Sequence, residues 1–350
     1  MKMRVLIACD RNSYPNPFVR VLADSLLEMG VDVACSLDEF WHSWESYDII
    51  HLQWPNLLVE GIDTIEHLKS HLQLIKNSGK PLIITCHNIE PHYSNEKTVK
   101  EAYDVVYNLV DCFIHMGSYS YDLFKKKYPL AKHIIIPHHV YDRLYKVLPS
   151  KEDAIKHLRL NSKFKYVLCF GAFRHDDERD IAVKASDIMA EYCGKVLAPS
   201  FSTYKLYKNI FRTIDEYIRD LRYRLKHRNI VISKGFVPDA DLPYYYAVAD
   251  IALIHRKQIL NSGNLPMAFY MGKVVIGPNV GNVGTILQET GNPTFDVHNI
   301  ESLKDCINKA MLLNQQGKGE ENKKYAVSNF LSNKVAEKHI ELYKTLIKVQ

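Results

Sequence analysis

Asp250-Ile251-Ala252-Leu253-Ile254-His255 and, a little further on, Lys273-Val274-Val275-Ile276-Gly277 are two short apolar runs from which the fold can be read. Each lacks polar interruption, the pattern of a parallel strand covered on both faces. Between them the loop 256–264 ends in Asn261-Ser262-Gly263-Asn264, a helix is predicted over 265–271, and Gly272 closes it. After the second run, Pro278-Asn279-Val280-Gly281-Asn282-Val283-Gly284 leads into another helix at Thr285. Strand, loop, helix, repeated, is the βα order of a parallel sheet, and successive units put their helix N-termini along one edge. Free N–H groups and the positive end of the helix dipole favour phosphate there. Gly263, Gly281 and Gly284 are expected to bring backbone close to a ligand or to take positive φ. The stretch reads as the diphosphate end of a nucleotide-sugar site; the same residues also serve as plain caps and turns in α/β proteins.

Outward from this stretch the alternation continues. Strands are predicted at 4–9, 31–35, 47–53, 81–86, 112–116 and 133–137, with helices at 17–30, 62–78, 97–109 and 120–128 between them. After a polar, Lys-rich stretch at 148–165 the pattern restarts, with strands at 166–170, 195–199, 230–234, 251–255 and 273–277. Helices are predicted at 180–192, 204–227, 242–249, 265–271 and 302–314. The fold class is therefore α/β, two Rossmann-like doubly wound parallel-sheet domains facing a cleft. The expected domains are 1–147 and 148–331, with a terminal helical segment, 332–350, packing back on the first.

The chain has 350 residues, 47% hydrophobic and 24% charged, enough for two domains that each bury a core. A net charge of +5 is mild, suited to anionic ligands or anionic lipid and far from a dedicated nucleic-acid binder. Seven scattered cysteines with no Cys/His ligand spacing argue against disulfides and structural zinc. The opening residues read as a first strand rather than a signal peptide, and no run is long enough to cross a membrane. The expected setting is cytoplasmic.

Chemistry is expected in the loops after the strands. In the first half these are Asp10-Arg11-Asn12, Gln53-Trp54-Pro55-Asn56 and Cys86-His87-Asn88-Ile89-Glu90-Pro91-His92. They offer a sugar pocket walled by Arg11, Asn12 and Trp54, with His87, Glu90 and His92 as catalytic candidates. In the second half Gly171-Ala172-Phe173-Arg174 follows its first strand directly, with Glu178 and Arg179 just beyond. A guanidinium there can hold phosphate oxygens bidentately; the competing reading is an ion-pair cluster at a helix start. Asp176-Asp177 reads as helix capping, and no metal is expected. The segment 204–227 mixes many Lys and Arg, among them Arg212, Arg219, Arg222 and Lys226, with Ile, Leu and Phe. It reads as a solvated helix face or, alternatively, as a peripheral contact with anionic lipid at the inner face of a membrane.

These residues resemble a family. The organisation is similar to the GT-B glycosyltransferases, and the second half resembles the family-4 (glycogen-synthase-like) group. The resemblance rests on Gly171-Ala172-Phe173-Arg174, on Leu265-Pro266 with Gly272-Lys273-Val274-Val275-Ile276, and on Gly281-Asn282-Val283-Gly284. His51 with Trp54-Pro55, His87-Asn88 and Pro91-His92 look like bacterial transferases of polysaccharide pathways. The family's pattern has a Lys shortly after the Arg, where Asp177 stands here, and a Glu pair where Ile259 and Met267 stand.

The resemblance implies transfer of a sugar from a nucleotide-sugar substrate to a saccharide or lipid-linked acceptor in surface polysaccharide biosynthesis, without cofactor, metal or nucleic acid. Donor contacts would fall to Arg174, Glu178, Arg179, Arg256, Ser262, Gly263, Asn264, Asn279, Gly281 and Asn282. Two alternatives stand beside it: a nucleotide-sugar 2-epimerase of the same fold, and a non-catalytic sugar-nucleotide-binding subunit.

Overall fold

The computed structural model describes residues 2–11, 16–59, 64–90, 97–145, 148–201, 210–232 and 237–347, with the side chains of Asp220, Tyr223, Arg224 and Asp239 left aside. The chain divides into two compact units, Met1–Arg143 with Ser328–Gln350, and Leu144–Val327. Each is built on a six-stranded, wholly parallel sheet.

The first sheet holds β1 (Arg4–Ala8), β2 (Asp32–Cys35), β3 (Ile49–Leu52), β4 (Leu82–Thr85), β5 (Cys112–His115) and β6 (Lys132–Ile135), in the order β2-β1-β3-β4-β5-β6. Because neighbouring side chains in a strand leave on opposite faces, one strand feeds two cores. Val5 and Ile7 pack with Leu22 and Leu26 of the helix Phe18–Glu28, whereas Leu6 and Ala8 pack on the other face with Leu68, Leu72 and Val106. Both faces being covered, the strands carry apolar residues without alternation.

The helix Ser332–Ile347 belongs to this first unit. Val335, Ala336, Leu342 and Tyr343 enter the same core as Leu22 and Leu26. Val140 N–H donates to Phe330 O at 2.7 Å, and Asp142 accepts from both the amide and the hydroxyl of Ser332. That carboxylate satisfies an N–H at the helix start which the helix itself leaves without a partner.

The second sheet holds β7 (Lys165–Leu168), β8 (Gly194–Leu197), β9 (Ile230–Val231), β10 (Ile251–Leu253), β11 (Val274–Pro278) and β12 (Thr294–Phe295), in the order β12-β11-β10-β7-β8-β9. Successive crossovers run outward from β7 to one side and from β10 to the other. The connections thus part company between β7 and β10, and in the first sheet between β1 and β3. A crevice opens at the carboxyl ends of such strand pairs.

Several elements among the described residues were not expected, the helix Lys318–Asn329 among them. β12 is only two residues long, too short to carry a periodic signal. The polar stretch 148–165 contains the helix Lys151–His157, started by Ser150, whose hydroxyl accepts from Asp153 N–H. The helix Leu37–His42 likewise begins at a Ser36 cap. The predicted helix 204–227 is seen as Ile210–Lys226, and the strand 230–234 as Ile230–Val231; residues 204–209 and 233–234 lie outside the described residues.

Candidate functional site

In the second unit the loops after β7 and β10 meet. Gly171 has φ +105, a conformation that costs an ordinary residue dearly, and a Cβ there would come within 3.3 Å of Asn264 Nδ2 and 3.8 Å of Arg256 Nη2. Asn264 Nδ2 donates to Phe170 O at 2.8 Å, so the turn before the helix Asn264–Tyr270 is tied to the end of β7. Ser262 Oγ accepts from Asn264 N–H at 3.3 Å and shapes the same turn. Gly272, φ +68, ends that helix as the sequence predicts.

The charged residues of this edge play roles different from those expected. Arg256 and Glu178 form an ion pair with each other, their side chains only 10% and 5% exposed, so neither is presented to a ligand. Arg256 Nη2 also donates to Ala172 O at 2.6 Å, and Glu178 accepts from the amides of Arg174 and His175. The pair is thus a strut that holds the loop 172–175 from below. Arg179 donates to Phe173 O, His175 O and Phe201 O and pairs with Asp176, which commits its guanidinium to the backbone. Glu178, Arg179 and Arg256 therefore support the loop, while Arg174 is exposed on it beside the exposed carboxylate of Asp176. Beside it His255 stacks on Phe173 at 4.0 Å; burial, reinforced by Arg256, pushes its pKa down to about 3, so it is neutral.

The glycines expected to approach a ligand approach the chain instead. A Cβ on Gly281, φ +63, would fall 2.1 Å from Ile259 O, and one on Gly284 would fall 2.7 Å from the carbonyl carbon of Asn279. Gly263 has an ordinary φ of −64. Asn282 is buried, with Nδ2 donating to Asn261 Oδ1 at 2.7 Å and its amide to Leu260 O. Gly281 and Asn282 thereby clamp the loop 259–264 onto the next helix, while Asn279 is exposed. Met267, in the position of the family's second Glu, is buried in the helix.

The first unit builds a different edge. Trp54 and His87 stack at 4.1 Å, and Phe18 meets His87 edge-on at 4.8 Å and His138 at 4.9 Å. His87 Nε2 lies 2.9 Å from Oε1 of the buried Gln53, and Tyr107 O–H donates to Asn88 O, which pins the loop. Burial, and then His138, His51 and His139, hold His87 well below the usual histidine range; it is neutral and is no acid. Beneath it His51 bridges Tyr343 O–H at 2.7 Å and Thr85 Oγ1 at 2.8 Å.

Trp54 is mostly buried and acts as the wall behind His87. Arg11, exposed, pairs with Asp24. Glu90 is exposed on the His87 loop. Asn12 and His92 lie outside the described residues. Sequence reasoning missed Gln53 and Phe18: Gln53 adjoins Trp54 in the quoted loop and was readable, while Phe18 reaches His87 only through the fold.

No protein-family model and no curated protein matches the chain. Solved structures do. A sucrose-phosphate synthase from Thermosynechococcus elongatus superposes with a TM-score of 0.73 at 15% identity over 100% of both chains. HepE of Anabaena in complex with UDP gives 0.71 at 13%, covering 99% of this chain and 100% of that one. The catalytic domain of starch synthase IV from Arabidopsis thaliana, bound to ADP and acarbose, gives 0.66 at 12% over 99% of each. With two six-stranded parallel sheets and these neighbours, the chain has the GT-B fold.

Proposed function

We propose that the protein is a glycosyltransferase that moves a sugar from a nucleotide sugar to a saccharide or lipid-linked acceptor in surface polysaccharide assembly. The observation that carries this reading is the junction of the loops 171–174 and 262–264 where the connections part between β7 and β10, joined by Asn264 to Phe170 O. Structures with this fold hold UDP or UDP-glucose in HepE and ADP in starch synthase IV.

In this reading Arg174 and the Ser262–Asn264 turn hold the diphosphate, with Asn279 at the next strand end. The bond from anomeric carbon to phosphate oxygen breaks, and fixed donors take up the charge on the departing diphosphate; such preorganised stabilisation is often the largest catalytic contribution. The strut of Arg256 and Glu178 keeps Arg174 in place without reorganisation. The neutral His87, backed by Trp54 and Gln53, makes a hydrogen bond to a sugar hydroxyl. Glu90 and His92 are the groups proposed to receive the acceptor's proton, and Arg11 and Asn12 belong to the acceptor side. No step calls for a metal.

Incubation with labelled UDP-, GDP- and ADP-sugars tests the reading. One donor should be slowly hydrolysed alone and consumed faster with a polysaccharide acceptor. Conversion of the donor sugar into its epimer would replace the reading with an epimerase. An untouched but bound donor would replace it with a binding subunit.

A further inference from the structure

The helix Ile210–Lys226 is turned inside out. At about 100° per residue, Ile210, Phe211, Ile214, Ile218, Leu221 and Leu225 fall on one arc of roughly 100°. That arc faces water: Phe211 is 75% exposed, Ile210 66% and Leu225 60%. The opposite side carries Glu216, whose side chain is only 15% exposed, and the half-buried Thr213. A helix serving a protein core shows the reverse arrangement, as Ser332–Ile347 does with Val335, Ala336 and Leu342 inward.

Cations border the arc along one edge. Arg222, Lys226, Arg219 and Arg212 follow one another around the helix beyond Phe211 and Ile218, all exposed, with the exposed Asp215 among them. Arg219 also pairs with Glu216 at 3.1 Å. No described helix is long and apolar enough to cross a membrane, so contact with lipid would be made from the side.

We infer that this helix docks the protein on an anionic lipid surface, its apolar arc sunk among the acyl chains near the headgroups and its cationic edge on the phosphates. A second copy of the chain is a poorer occupant. An antiparallel two-fold pair would set the same cationic edge beside itself, and a parallel pair would leave both edges without a counter-charge, whereas an anionic bilayer satisfies the arc and the edge together. The inference stands apart from the transferase reading, since nothing in it uses Arg174 or His87.

The test is co-sedimentation of the full chain with vesicles of phosphatidylcholine alone and of phosphatidylcholine with phosphatidylglycerol. Binding should appear with the anionic vesicles and weaken as salt is raised. The double variant Phe211→Glu/Leu225→Glu should lose it. Arg219→Gln/Arg222→Gln should lower the partition coefficient roughly 25-fold, about fivefold per cation. All these positions being exposed, the variants should unfold at the wild-type temperature and bind nucleoside diphosphate as before. Absence of binding to anionic vesicles would overturn the inference, as would equal binding by the Phe211→Glu/Leu225→Glu variant. A lipid-free dimer that this variant dissociates would overturn it too, by assigning the arc to a second copy.

Discussion

At the ends of β3 and β4 the first unit presents Trp54 and His87, with Phe18 against His87 and His138 against Phe18; at the ends of β7 and β10 the second presents Arg174, with Glu178, Arg256 and Asn264 beneath. Both edges sit where the connections of a parallel sheet part, yet their chemistry is opposite. One is neutral, aromatic and rich in histidines held unprotonated by burial. The other is braced by a buried ion pair and carries an exposed guanidinium. A neutral ring wall suits hydroxyls and sugar faces, and a braced cation suits phosphate. Similar topology therefore supplies two strand-end edges of different chemistry.

Acid should break the comparison most strongly. Burial lowers His138 and His115 to about 3 and His139 and His339 to about 4 in the first unit, against His255 at about 3 in the second. A histidine depressed in the folded state is neutral in both states above pH 6.5. Below that the unfolded chain takes the proton first, so stability falls as pH drops from 6.5 towards about 4, by about 1.4 kcal/mol per pH unit for each such group. The three tryptophans, Trp41, Trp44 and Trp54, all lie in the first unit, so their fluorescence reports it alone. Denaturant melts followed by fluorescence should lose stability between pH 6.5 and 4 more steeply than melts followed by far-ultraviolet circular dichroism, which sees both units. Equal slopes would remove the contrast.

Next in size is Arg256→Met. It leaves Glu178 buried without its cation and should cost about 3–5 kcal/mol in urea unfolding, with donor affinity falling as the loop 172–175 loosens. A loss below about 1 kcal/mol would mean that the pair is no strut. Gly171→Ala forces a side chain into φ +105 and should cost about 1–3 kcal/mol, again with weaker nucleotide binding. Smallest is His87→Phe, which keeps the ring against Trp54 and Phe18 and removes the bond to Gln53. It should cost about 1 kcal/mol of stability, lower turnover, and leave nucleotide affinity unchanged; a fall in nucleotide affinity would tie His87 to the donor instead.

Much of the fold is legible in the sequence because strands covered on both faces are plain apolar runs; those at 82–85, 112–115 and 251–253 needed no partner to be recognised. β12, with two residues, and the helix Lys151–His157 carry too little pattern. In the second unit, loop position alone picks out Gly171, Arg174, Ser262 and Asn264. The pairing of Glu178 with Arg256 is not legible, since the partners are far apart in the chain and each looks like a ligand contact by itself. Gly281 misleads for a related reason: a glycine that admits a ligand and one that admits the chain's own Ile259 carbonyl are identical in sequence.

In the proposed function the second unit grips a diphosphate through Arg174. Calorimetric titration of the wild-type chain and Arg174→Ala with UDP, GDP and ADP tests it most directly. One nucleotide should bind the wild type, and the variant, with its melting temperature unchanged, should bind it about 10- to 100-fold more weakly, the worth of a charge-assisted contact of about 1.5–3 kcal/mol. Binding of none of the three, or equal binding by wild type and variant, would contradict the account.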